Sequence, residues 1–573
     1  MADRLYTRDI TVLAEDPSIK ADKGRPLLTR VKIPAERFLP GPRGARLAVV
    51  DFDSSANVFY PAHSLREEDN EEPDEFAGAE DLEALVRNPR FHAQHVFGVA
   101  AATLFEFERA LGRSVSWGFA DPSHQLKIIP HAFKEANAFY SKEDEAVLFG
   151  YFDHPAEAGR TVFTCLSHDI VAHEMTHAVL DGLRDQLTRP SSLDQAAFHE
   201  GFADIVALLS TRGNESPTQF ALGPKRFDRL PLRKTLDRIQ KKSILFGLGE
   251  EMGAATNALG RGALRNSILE VARNKKPPQL ADTPEPHDRG EILVAAVLTA
   301  FVEVWTKRLD RKFDPKAHGD MEVDAWRVAE EGAKAAQHLL TMLIRAIDYL
   351  PPVHVEFRDF LMATLTADWQ TSPDDSGYGY RDLLLQSFAR FGIRPHRSAD
   401  TTRQGSYRPF EGDLDYERGN VDSMRTDPEG MFRFLWENRD QFNLVDDAYT
   451  RVNSVRSVGR VGPDGVIVRE TIAEYYQLVK RATYRDLQRY NIDLPEFATD
   501  GVYFDLVGGG TLIFNEFGVL KYHIVNHLKS PRQKRRLETL AELGQLLFGP
   551  RQPFALAHMR AGGLEIGQNG GVL

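Results

Sequence analysis

The sequence predicts an α+β fold in several domains, and three observations carry this. Apolar runs of strand length lie early in the chain, at 45–51, 125–130, 136–140 and 146–152. A helical pattern then runs from Ser167 to about Ile393. After a polar, turn-rich stretch, strand-like runs return. At roughly 150 residues per domain, 573 residues allow two to four domains.

Each element has its own signal. Residues 1–44 are mixed and Pro-rich, ending in Pro40-Gly41-Pro42-Arg43-Gly44, and read as an N-terminal extension or covering arm. Ala45 to Asp51 reads as a strand, and the acidic stretch Glu67 to Glu80 as a solvated loop. A long helix is expected from about Asn88 to Leu111, with Val96, Val99, Leu104 and Phe107 at helical spacing. The segment SKEDE between 136–140 and 146–152 reads as a hairpin turn. RPHRSADTTRQGSYRPFEGD, 394–413, is the linker candidate. Beyond it, Val452–Val461, a GPDG turn and Val466–Ile472 read as a hairpin. Gly501–Val507, a break at Gly508-Gly509-Gly510, Leu512–Phe514 and Val519–Val525 read as further strands.

Composition narrows the function classes. A net charge of -12 gives no pull toward nucleic acid or an anionic membrane, so neither partner is expected. One cysteine, Cys165, excludes an internal disulfide framework. The N-terminus has no apolar signal core, and the longest apolar run, Ile292 to Trp305, is broken by Glu303 and too short to span a bilayer. A cytoplasmic location is the expectation.

His173-Glu174-Met175-Thr176-His177 sits in the helical segment HDIVAHEMTHAVLDGL. Histidines four apart share one helix face, so both imidazoles can reach one ion. Glu174 faces the same cleft and can act as a base without ligating. Catalytic zinc wants a third protein ligand and an open position for water. A second helical segment, DQAAFHEGFADIVALLS, offers Glu200 as that ligand and Asp204, four on, to accept the outer N–H of a ligand histidine.

HDIVAHEMTHAVLDG followed by HEGFADI resembles the thermolysin-like (gluzincin, M4-type) zinc metallopeptidases, over about residues 45–395. Further segments match that family in order. Glu135 to Tyr140 resembles the edge strand that pairs with substrate, which implies contacts from Asn137 and Ala138. Gly262-Ala-Leu-Arg-Asn266 resembles the substrate-binding arginine segment and implies Arg265. Asp282-Thr-Pro-Glu-Pro-His287 resembles the catalytic-histidine segment, with His287 beside the developing oxyanion and Asp282 orienting it. Ile170 and Leu264 match positions of the primary side-chain pocket, which implies a hydrophobic residue just after the scissile bond. The resemblance implies a two-lobed peptidase, with a β-rich N-lobe at 45–165 and a mainly helical lobe at 166–395 carrying one zinc ion. An accessory α/β domain at 396–573 completes the expected organisation.

The sequence also departs from that family. Thr188 stands where a tyrosine is usual, eleven residues after the second histidine. Asp169 matches one position of the structural calcium cluster, but Thr211 stands where a carboxylate belongs, so no familiar calcium dependence is expected. No counterpart of the large inhibitory propeptide of secreted members is expected, only the short arm 1–44 being placed to play that part.

The expected function is a zinc endopeptidase acting on peptide or protein substrates. Restraint is expected from one of the two ends covering the cleft, or from a regulatory partner on 396–573. Two alternatives stay open: a catalytically impaired zinc-containing scaffold, and a gluzincin exopeptidase. Elsewhere the plain readings are preferred. His92 and His95 read as packed histidines, Cys165 as an inert buried thiol, Gly508–Gly510 as a strand turn, and Lys529 to Arg536 as a solvated helix face.

Overall fold

The computed structural model describes residues 7–20, 24–65, 74–119, 124–188, 191–213, 229–241, 277–283, 286–314, 321–416, 424–462, 465–542 and 546. Helices and sheets both contribute, in agreement with the α+β expectation.

The chain opens with an antiparallel hairpin, β1 (Thr7–Leu13) and β2 (Leu28–Pro34), paired from Thr7↔Pro34 to Leu13↔Leu28. Short strands β3 (Leu47–Val49), β4 (Phe52–Asp53) and β5 (Val58–Phe59) follow, then the short helix α1 (Leu82–Val86). The long helix α2 spans Pro89–Leu111. Asn88 caps its start by accepting the Arg90 N–H, and Gly112 ends it in the left-handed conformation at φ 70°. Ile10, Val12, Val31 and Ile33 of the hairpin are buried in the same core as α2. Gly98 makes this possible, because a Cβ there would lie 2.8 Å from a Val12 methyl. The 1–44 stretch, expected as an extension or covering arm, thus contributes a hairpin to the core.

Next come β6 (Leu126–Phe133), β7 (Ala138–Ser141), β8 (Ala146–Asp153) and β9 (Thr161–Phe163). The sheet order is β3-β6-β8-β7, with β7 an edge strand and β9 pairing the end of β8. β3, β6 and β8 run parallel, and β7 is antiparallel to β8.

The helical part contains α3 (His168–Leu183), α4 (Leu193–Arg212), the short strand β10 (Arg229–Pro231), α5 (Leu232–Lys241), α6 (Pro286–Phe313), β11 (Glu322–Asp324), α7 (Ala325–Ala346), α8 (Phe357–Thr371) and α9 (Tyr380–Arg390). Its apolar core runs from Phe198 and Phe202 through Trp305 to Phe360, with a cluster of buried polar and charged side chains on α3 and α4 beside it. None of the described helices is long and apolar enough to cross a membrane.

The C-terminal part adds α10 (Pro428–Glu437), β12 (Tyr449–Val461), β13 (Ile467–Ala482), α11 (Tyr484–Arg489), β14 (Phe504–Asn515), β15 (Leu520–Asn526) and α12 (Gln533–Glu542). Its four strands form an antiparallel meander in chain order. Two apolar clusters flank it, one with Met431, Phe434 and Phe442 against Leu512 and Phe514, the other with Leu487, Leu528 and Leu537 against Phe504 and Leu506. Ile513, Tyr522 and Ile524 join the main core instead, so the sheet is seated on the helices.

Three expectations are corrected here. Gly508-Gly509-Gly510 does not break or turn the chain; β14 runs straight through it. The glycines serve close approach, since a Cβ on Gly508 would meet Leu528 N at 2.3 Å and one on Gly509 the Tyr475 carbonyl at 2.6 Å. The 394–413 stretch is no loose linker: Ser406 is buried, and the Tyr407 N–H donates to Thr366 Oγ1 at 2.9 Å. The basic run is not wholly solvated either, because Arg536 is buried and donates to the Val507 carbonyl.

Candidate metal centre

The helix α3 is buried along most of its length, which removes His173, Glu174 and His177 from bulk water. Their four-residue spacing sets both imidazoles on one face, with Nε2 atoms 2.9 Å apart. Glu200, on α4, brings a carboxylate to the same point. Its oxygens lie 3.5 Å from His173 Nε2 and 3.7 Å from His177 Nε2. Three donors each about 2.0–2.2 Å from one zinc ion would stand at such separations, so the set fits zinc in size and chemistry.

The outer nitrogens are held as well. His173 Nδ1 lies 2.7 Å from the buried Asp204 carboxylate, which fixes the proton on Nδ1 and leaves Nε2 its lone pair. His177 Nδ1 faces His199 Nδ1 at 2.8 Å. His199 was not anticipated. It precedes Glu200 in the sequence, but nothing in helical periodicity says that it turns toward His177.

Glu174 is tied to the sheet. Its carboxylate accepts the backbone N–H of Tyr140 on the edge strand β7 at 3.2 Å. The Tyr140 hydroxyl donates to Asp181 at 2.9 Å, and Lys142 pairs with the same carboxylate at 2.9 Å. Burial and the Asp181 charge push the Tyr140 phenol far up, so it stays protonated. Tyr140 of β7 and Lys142 just after it thus anchor the strand to α3, one turn beyond His177. Asn137 and Ala138 are buried at the start of this strand. Asn137 Oδ1 accepts the Ala138 N–H at 2.9 Å, while Asn137 Nδ2 has no partner among the described residues. Ile170 is half-buried in the first turn of α3.

The segment of His287 is pressed against Gly201, the residue after Glu200. Gly201 and Gly290 meet so closely that a Cβ on Gly201 would be 3.0 Å from the Gly290 carbonyl. Arg289 reinforces the contact, with Nε 3.0 Å from Asp194 Oδ1 on α4 and its guanidinium donating to the Leu280 carbonyl at 2.8 Å. The backbone of His287 therefore lies in the first turn of α6, beside α4; its side chain lies outside the described residues. Asp282 sits in an exposed 3-10 turn before it. Arg265 and Leu264 also lie outside the described residues. Thr211 donates its hydroxyl to Asp169 at 2.8 Å, a neutral partner for the carboxylate that the family resemblance would assign to calcium.

Searches of protein-family models and of curated proteins find no match to this chain. The functional reading therefore stands on the residues themselves.

Proposed function

We propose that the chain is a zinc-dependent endopeptidase. The observation that carries this is the meeting of His173, His177 and Glu200 beside a glutamate that is itself bound to a sheet edge. Zinc held by those three residues would supply Lewis acidity, lowering the pKa of water and polarising a carbonyl. Glu174 takes the proton of the attacking water and returns it to the leaving amine. The substrate lies extended along β7, adding a strand to that edge, with Asn137 as a side-chain donor to its backbone. By the family resemblance, His287 and Arg265 steady the carbonyl oxygen as it gains charge, with Asp282 orienting His287. Ile170 and Leu264 line the pocket for a hydrophobic side chain just after the cut. No calcium requirement belongs to this reading. The proposal places the enzyme in the cytoplasm, with a regulatory partner on 396–573.

Digestion of long peptides tests the reading. Cuts at internal bonds, abolished by a chelator and restored by zinc, are the expected result. Stepwise trimming from one end would indicate an exopeptidase instead, and cleavage by the metal-free chain would overturn the assignment. A second reading, a zinc scaffold without turnover, is favoured by Thr188, which follows α3 where the family carries a tyrosine. It predicts bound zinc and no cleavage.

A further inference from the structure

A second cluster of metal-ligating side chains lies apart from the His173 centre and shares no residue with it. His92 of α2, His131 of β6 and Cys165, in the 3-10 turn Thr164–Leu166 that leads into α3, place one donor atom each within 4.8 Å of one another. All three residues are buried, at 1%, 2% and 0% exposure. Phe163 packs against both imidazoles, and Tyr60 against that of His131.

The hydrogen bonds around the cluster fix where its protons are. His92 Nε2 is 2.9 Å from the Val86 carbonyl. A carbonyl only accepts, so Nε2 carries the hydrogen, and Nδ1 of the neutral ring keeps a lone pair. His131 Nδ1 lies 2.9 and 3.0 Å from the two oxygens of Asp51, so it too donates, and Nε2 of the neutral ring keeps its lone pair. These two nitrogens face each other at 2.8 Å. Two lone pairs at that distance repel unless a positive species lies between them. A proton can serve, and so can a metal ion; the cysteine sulfur converging on the same point is what a thiophilic ion requires.

Charge selects the valence. A thiolate at Cys165 and the carboxylate of Asp51 carry two negative charges in a buried site. A divalent ion neutralises them, with both imidazoles neutral. We propose that His92, His131 and Cys165 bind a divalent, thiophilic transition-metal ion, zinc foremost, with Asp51 orienting His131. Binding displaces the thiol proton of Cys165 to solvent and forms the metal–sulfur bond. The ion ties together α2, β6 and the turn that enters α3, a structural role independent of the peptidase reading.

The single cysteine makes the test specific. The His173 centre contains no sulfur, so any thiolate-to-cobalt charge-transfer absorption of the cobalt-substituted full chain can arise only at Cys165. The expected result is that absorption in the near ultraviolet, together with two metal ions per chain by elemental analysis. Cys165→Ala is expected to abolish the band and remove one ion, whereas Glu200→Ala weakens the other site and leaves the band. Elemental analysis of the isolated protein separates zinc from copper as natural occupant. A cobalt-loaded chain without the band, or a chain that holds no cobalt, overturns the proposal and leaves the His92–His131 contact to a proton. The spectrum is read on the unaltered chain, so a misfolded variant cannot obscure the outcome.

Discussion

The backbone N–H of Tyr140 points at the carboxylate of Glu174, 3.2 Å away. This joins the general base of the proposed reaction to the strand expected to receive the substrate. Because β7 pairs β8 on its other side, the Tyr140 N–H that reaches Glu174 marks the outward edge of the sheet. Base and substrate edge are thus one construction, and disturbing either one displaces the other.

Replacing Tyr140 by phenylalanine removes the hydroxyl that binds Asp181. The buried Asp181 carboxylate keeps Lys142 as partner, so the expected cost in folding stability is about 1 kcal/mol. It is measured by denaturant unfolding. A larger proportional fall in kcat/KM would show that anchoring β7 matters to turnover.

Asn137→Ala removes a side-chain donor that has no partner among the described residues. Loss of one substrate hydrogen bond, about 0.5–1.5 kcal/mol, corresponds to a two- to tenfold fall in kcat/KM. Steady-state kinetics on a peptide cut at an internal bond will read it. An unchanged value would remove Asn137 from the substrate-binding residues.

Asp204 and His199 hold the outer nitrogens of His173 and His177. Asp204→Ala or His199→Ala is expected to weaken zinc binding about 10–100-fold. Competition against a chromophoric chelator measures this directly. Equal affinity in both variants would show that the imidazoles are oriented by packing alone.

Acid is expected to loosen the C-terminal sheet. Asp348 is buried between Arg113, at 2.7 Å, and Arg460 of β12, at 2.5 Å. Burial alone would raise its carboxyl, but the two guanidiniums outweigh that and hold it far below the ordinary range. A depressed carboxyl lends stability that is complete above the unfolded pKa, near 4, and is lost as the pH falls below it. Unfolding midpoints should therefore drop below about pH 4, and Asp348→Ala should weaken that dependence while costing about 3–5 kcal/mol at neutral pH. A variant with the parent's stability at pH 7 would contradict this.

Deletion of 1–44 removes Ile10, Val12, Val31 and Ile33 from the core and exposes the apolar face of α2. The expected result is poor soluble yield and a lowered unfolding temperature. Release of cleavage from a well-folded truncated chain would instead make this segment a cover.

The pairing of His173 with His177 was legible because helical spacing is short-range: residues four apart share a face whatever the surrounding fold. His199 escaped because its turn toward His177 depends on how α4 packs on α3. The glycine run and the 394–413 stretch carry the composition of turns. Only tertiary contacts with Leu528, Tyr475 and Thr366 show that one is a tightly packed strand and the other an ordered strap. Cys165 and His92 are buried, as the sequence predicts; that His131 meets His92 and is held in turn by Asp51 was not legible, because these residues are distant in sequence.

The most direct test is digestion of a mixed peptide library by the full chain beside its Glu174→Gln variant, followed by mass spectrometry and zinc analysis. The account predicts internal cuts by the parent and a loss of at least about 10²-fold in the variant, with zinc content unchanged. Equal cleavage by both proteins, or none by a zinc-loaded parent, would contradict it.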